Sequence, residues 1–137
     1  MMEIEFSRPS SHFDAAALHH DLCESTPALL SVLRAFHPWL ADMRARLRGA
    51  IETGNTEQLA DAAHTLRGSL AQLRAAAAVE LVRQLEAVCK ADPGAPLTPD
   101  HPRVLALDAE LEALSTEIAD FLAAASGDDG SQPGDPA

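Results

Sequence analysis

Apolar residues recur along this chain at intervals of three and four, the repeat of an α-helix that turns one side to a core. Leu29, Leu33, Phe36, Leu40, Met43, Leu47 and Ile51 trace one such stripe, and Leu107, Leu111, Leu114, Ile118 and Phe121 trace another. Between them Leu59, Ala63, Leu66, Leu70 and Leu73 fall on a single narrow stripe when each residue turns the helix by ~100°. Punctuation divides the pattern. Thr26-Pro27 reads as an N-cap with Pro at the first helical position, Gly54 closes a helix, Asn55 to Gln58 resembles a capping box, and Asp92-Pro93-Gly94 stops a later helix. The expected elements are a short helix around Asp14 to Cys23 and longer ones at about 27–53, 56–74, 76–91 and 100–124, with ends placed to within ~2–4 residues. Pro38 sits inside the longest of these, where it removes a hydrogen bond and crowds the preceding turn. It predicts a kink near Phe36 or a division into two shorter helices.

Four long amphipathic helices joined by short loops pack most simply as an antiparallel, up-down-up-down four-helix bundle, here with a short additional N-terminal helix. Composition agrees with an all-α fold. Leu and Ala dominate a hydrophobic fraction of 47%, aromatics are 4%, and Tyr is absent; β-branched residues, which favour strands, are sparse. A chain of 137 residues holds one compact core and leaves no room for a separate ATP-binding module. The expected organisation is an N-terminal extension over 1–12, a helical bundle over 13–125, and an acidic tail over 126–137. That tail, made of Gly, Asp, Ser, Pro and a few other small or polar residues, lacks the apolar side chains that would repay its ordering entropy, and is expected to be disordered.

Charge narrows the partners. A net charge of −11 disfavours nucleic acid and anionic membranes, leaving a protein or a small ligand. No stretch approaches the ~20 apolar residues of a bilayer crossing, and the acidic N-terminus does not read as a signal peptide, so a cytoplasmic location is expected. Cys23 and Cys89 are too few and too far apart for a disulfide framework or a zinc knuckle, and read as reduced packing residues. With no evident extra apolar patch, a monomer is expected. The Ala, Arg and Leu bias suggests a bacterial source.

The informative stretch is the third helix. On its wheel His64 lies roughly 140° from the centre of the leucine stripe, and so points to solvent. Around it stand Ala60, Gly68, Ala71 and Ala75, with Glu57 and Asp61 toward one end and Arg67 on the flank, where an ordinary solvated face would carry Lys, Glu and Gln. A floor of small residues around one exposed imidazole suits close approach by another protein. Gly68, one turn after His64, costs ~1 kcal/mol relative to alanine inside a helix, and clears space beside the ring. Arg67 can lean back along the helix and offer guanidinium donors to an anion on the imidazole. The imidazole is itself a competent nucleophile near neutral pH. From His64 to Lys90 the chain is net positive, and this basic patch would favour an acidic partner surface. Each feature also has a structural explanation: a lone helical His is usually a surface residue, Arg67 could pair with an acid, and Gly68 could serve a close helix contact.

Ala63-His64-Thr65-Leu66-Arg67-Gly68-Ser69 resembles the signature of histidine-containing phosphotransfer (HPt) domains, Ala-His-x-Leu-Lys-Gly-Ser, with Leu73 and Ala75 following as in that family. The order of helices over residues 13–124, with Leu81, Leu85 and Glu86 after the histidine helix, is similar too. The resemblance implies that His64 accepts a phosphoryl group from a receiver-domain aspartate and passes it to another. Response regulator receiver domains and a hybrid histidine kinase would be the partners. It implies a phosphocarrier without ATP-dependent kinase activity, no cofactor of its own, and Mg2+ held by the partner's acidic pocket. Arg67 would steady the phosphate, Gly68 and Ala71 would shape the site, and Asp61, Ser69 and Gln72 would support it. Departures are Arg67 for the commoner Lys, which keeps the charge, Leu70 for a small residue, Gln72 for Asn and Arg74 for Gly.

Other readings are weaker. Asp61-Ala62-Ala63-His64 has the carboxylate-x-x-His spacing of di-iron bundles, but neither a second such pair nor two inward glutamates accompany it. The histidine of a kinase dimerisation helix is typically followed by an acid and then by Thr-Pro or Asn-Pro, which His64 lacks. A non-catalytic adaptor that binds a receiver or kinase without being phosphorylated remains the alternative.

Overall fold

The computed structural model describes residues 12–130, with side chains through Ala125. Five helices follow one another: α1 (Ala15–Asp21), α2 (Thr26–Glu52), α3 (Thr56–Gln72), α4 (Ala76–Ala91) and α5 (Pro102–Gly130). α3 packs on α2 and α4, and α5 closes the ring against α2 and α4, while α1 lies against α2. This is the four-helix bundle with a short leading helix that the apolar spacing predicts.

The stripes meet at the centre. Leu29, Leu33, Leu40, Leu59, Leu66, Leu70, Leu85, Leu111, Leu114 and Ile118 are all buried. Phe36, Trp39, Cys89 and Phe121 pack half-buried around this cluster. Phe13, just before α1, meets Phe121 edge-on at 6.0 Å between ring centroids. The chain before it is tied to α5, since the His12 amide donates to Glu117 and its Nδ1 lies 2.8 Å from Glu110 Oε2.

The helix ends show the chemistry that the sequence signals, with shifts. Ser25 rather than Thr26 caps α2, its hydroxyl accepting from the Ala28 amide, so the cap falls one residue earlier than expected. α2 then ends in a Schellman turn: Gly54 takes φ +69°, and the Asn55 and Gly54 amides donate back to the Ala50 and Ile51 carbonyls. Pro38 lies within one continuous α2, not between two shorter helices. Cys23 is a correction: it is exposed, in a positive-φ turn after α1, and packs nothing in the core. The last helix runs through residues 126–130, past the point where the tail was expected to begin. Residues 1–11 and 131–137 lie outside the described residues, so most of the expected N-terminal extension and the end of the tail do as well.

Candidate functional site

The histidine helix is built to hold a straight, well-anchored face. Asn55 caps it, its Oδ1 accepting from the Gln58 amide at 3.0 Å, and Glu57 stands in the first turn where the helix dipole favours a carboxylate. Leu59, Ala63, Leu66, Leu70 and Leu73 all turn inward. That fixes the rotation of α3 and leaves His64 on the outside, exposed together with Ala60, Asp61, Gly68, Ala71 and Gln72. Ser69 is half-buried.

Gly68 faces open space: a Cβ built on it would meet no atom within 4 Å. The helix-packing explanation of this glycine is thereby removed, and low ground beside the imidazole is what its missing side chain provides. Leu70, where the HPt signature has a small residue, is fully buried and belongs to the core stripe.

Two expectations change. Ala75 is not on the outer face but completely buried. α3 ends in a second Schellman turn, with the Ala75 amide donating to the Leu70 carbonyl and the Arg74 amide to that of Ala71, and the residue after such a turn folds back onto the helix core. Arg67 turns toward α4, its Nε 2.7 Å from Glu86 Oε1. That approach is an ion pair without the alignment of a hydrogen bond at Nε, and the two side chains are 36% and 21% exposed. The guanidinium therefore stands on the α4 flank of the His64 face. Glu86 was legible only as part of a helix pattern, because a one-helix wheel does not say which residue of the next helix stands opposite.

Arg74, where the HPt signature has glycine, adopts φ +67°. Its guanidinium makes a two-pronged contact with Asp21 at 2.8 and 2.9 Å, and its carbonyl accepts from the Asp14 amide. α1 is thus strapped over the α3–α4 turn at the end of the histidine helix. The Arg74 contact holds the Asp21 carboxyl below the usual carboxylate range. Elsewhere, burial pushes the Cys89 thiol up, away from the reactive thiolate. Among the described residues, no group of three His, Cys, Asp or Glu side chains could hold a metal ion.

The Hpt domain family model matches residues 31–117, more than half of the chain and all of the histidine helix. The chain belongs to the HPt family. Members of this family serve phosphotransfer in two-component signalling, as phosphocarriers rather than kinases, and work with receiver domains and histidine kinases. No curated protein and no solved structure matches the chain. Among the described residues no helix is long and apolar enough to cross a membrane.

Proposed function

We propose that His64 of this HPt protein accepts a phosphoryl group from the aspartate of one receiver domain and passes it to that of another. The observation that carries the reading is the position of His64: exposed, at the middle of a helix whose other side is locked into the core, within the matched family region. Phosphoryl transfer asks little covalent chemistry of the protein; alignment and charge neutralisation supply most of the acceleration. A rigid helix supplies alignment. The ring nitrogen attacks phosphorus in line as the bond to the aspartyl oxygen breaks; Mg2+ held by the partner's acidic pocket would supply charge balance on the oxygens.

In this reading Arg67 lends its positive charge from the α4 flank while Glu86 holds it there. Gly68 and Ala71 keep the approach flat, and Asp61, Ser69 and Gln72 meet the partner at the rim. The chain holds no cofactor of its own, acts as a monomer in the bacterial cytoplasm, and contacts neither nucleic acid nor membrane. The adaptor alternative lacks a specific observation in its favour, since the histidine of the signature is present and exposed. A relay assay tests the proposal: label placed on one receiver should move to this chain and then to a second receiver, whereas labelled ATP with the chain alone should give nothing. Direct movement between the receivers, unaffected by the chain, would overturn it.

A further inference from the structure

A groove of about 400 Å³ runs between α2 and α3 beside the His64 face. Arg46 and Gly49 line it from α2, and Gln58, Asp61 and Thr65 from α3. At ~100° per residue, Asp61 and Thr65 lie roughly 60° and 100° to one side of His64, and Arg67 roughly 60° to the other. The groove is therefore the α2 flank of the same face whose α4 flank carries Arg67.

Arg44 and Arg48 lie 3.2 and 3.8 Å from Asp108, Arg67 pairs with Glu86, and Arg74 pairs with Asp21. Arg46 is exposed and, like Arg34, Arg83 and Lys90, forms no ion pair among the described residues; what distinguishes it is its place in this groove beside Asp61. Gly49 adds an independent sign. It sits inside α2, where glycine costs about 1 kcal/mol relative to alanine, and a Cβ there would meet nothing within 4 Å, so packing within the chain does not call for it. Like Gly68, it leaves low ground where a partner's surface can descend.

Charge points to the kind of partner. A chain with net charge −11 repels an acidic surface at long range, so docking against one requires cations placed at the contact. We infer that Arg46 is a specificity-determining residue of this protein, pairing in the α2–α3 groove with a carboxylate on the rim of a receiver domain's acidic phosphorylation pocket. The inference rests on the phosphocarrier reading of His64. Asp61 beside Arg46 makes the contact selective, because a partner must match two opposite signs rather than supply negative charge alone.

The test measures initial transfer rates from a phosphorylated receiver domain to the full chain, over a range of receiver concentrations and with Mg2+. Arg46→Glu should raise the half-saturating receiver concentration about tenfold, with a steep salt dependence and little change in the saturating rate. Arg46→Lys should recover most of the loss. Arg34→Glu makes the same change in net charge at an exposed position ~120° around α2, and should have far less effect. Phosphoramidate, a small donor that needs no docking, should label His64 equally in every variant. Equal effects of Arg46→Glu and Arg34→Glu, with phosphoramidate labelling intact, would overturn the groove contact alone; failure of phosphoramidate to label His64 would overturn the phosphocarrier reading and the groove contact with it.

Discussion

Arg67 and Arg74 show two uses of the same side chain within one helix and its cap. Arg67 is half-exposed and paired across the helix interface, so its ion pair contributes less than about 1 kcal/mol to stability. In the proposed transfer its value would lie in charge near the phosphoryl group: Arg67→Ala should fold normally by circular dichroism and slow transfer from a receiver by about tenfold, an open contact being weaker than a donor in a closed site. Arg74 is a structural matter, because its positive φ is a conformation that glycine adopts without strain and other residues do not. Arg74→Ala keeps the strain and loses the Asp21 contact, whereas Arg74→Gly loses the contact and relieves the strain, so thermal unfolding should place Ala below Gly. The pH sign follows from Asp21, whose folded pKa is depressed by Arg74. Its contribution is complete above the ordinary carboxylate pKa and is lost as the pH falls through the depressed value, and Asp21→Asn should remove that acid-side slope. The His64 face was readable from one strand of sequence because exposure on a helix is a matter of rotation. The partners of Arg67 and the groove around Arg46 were not, since both depend on which residues of a neighbouring helix stand opposite. An interior glycine at Gly49 was the signal available for the second.

At the scale of the element, the fit between α3 and its neighbours is what makes the histidine point outward. Leu66 is fully buried two residues after His64, so Leu66→Ala should cost about 2–5 kcal/mol, read as a lower denaturant midpoint. The first four helices were legible to within a few residues, because each has an apolar stripe and a marked end, whereas α5 runs on to Gly130, past its expected end at 124. Gly54 and Asn55 behave as their side-chain chemistry dictates. The errors fall where local signals compete. Ser25 outcompetes Thr26 for the same cap, Arg74 performs the turn expected of glycine, and that turn carries Ala75 from the outer face into the core. Pro38 is accommodated in a continuous α2, held on either side by buried Leu33 and Leu40.

For the whole molecule, a locked bundle presents the exposed His64 imidazole, flanked by Arg67 tied to α4 and by a groove lined by Arg46. In the proposed transfer, its net negative charge and its open glycines would make docking selective, and the histidine helix would supply the alignment. The most direct measurement incubates wild type and His64→Gln with a phosphorylated receiver domain and Mg2+, then challenges the labelled protein with acid and alkali. The account predicts label on wild type alone, lost in acid and kept in alkali, as a phosphoramidate bond requires; label of equal amount on His64→Gln, or none on either protein across several receivers and kinases, would contradict it.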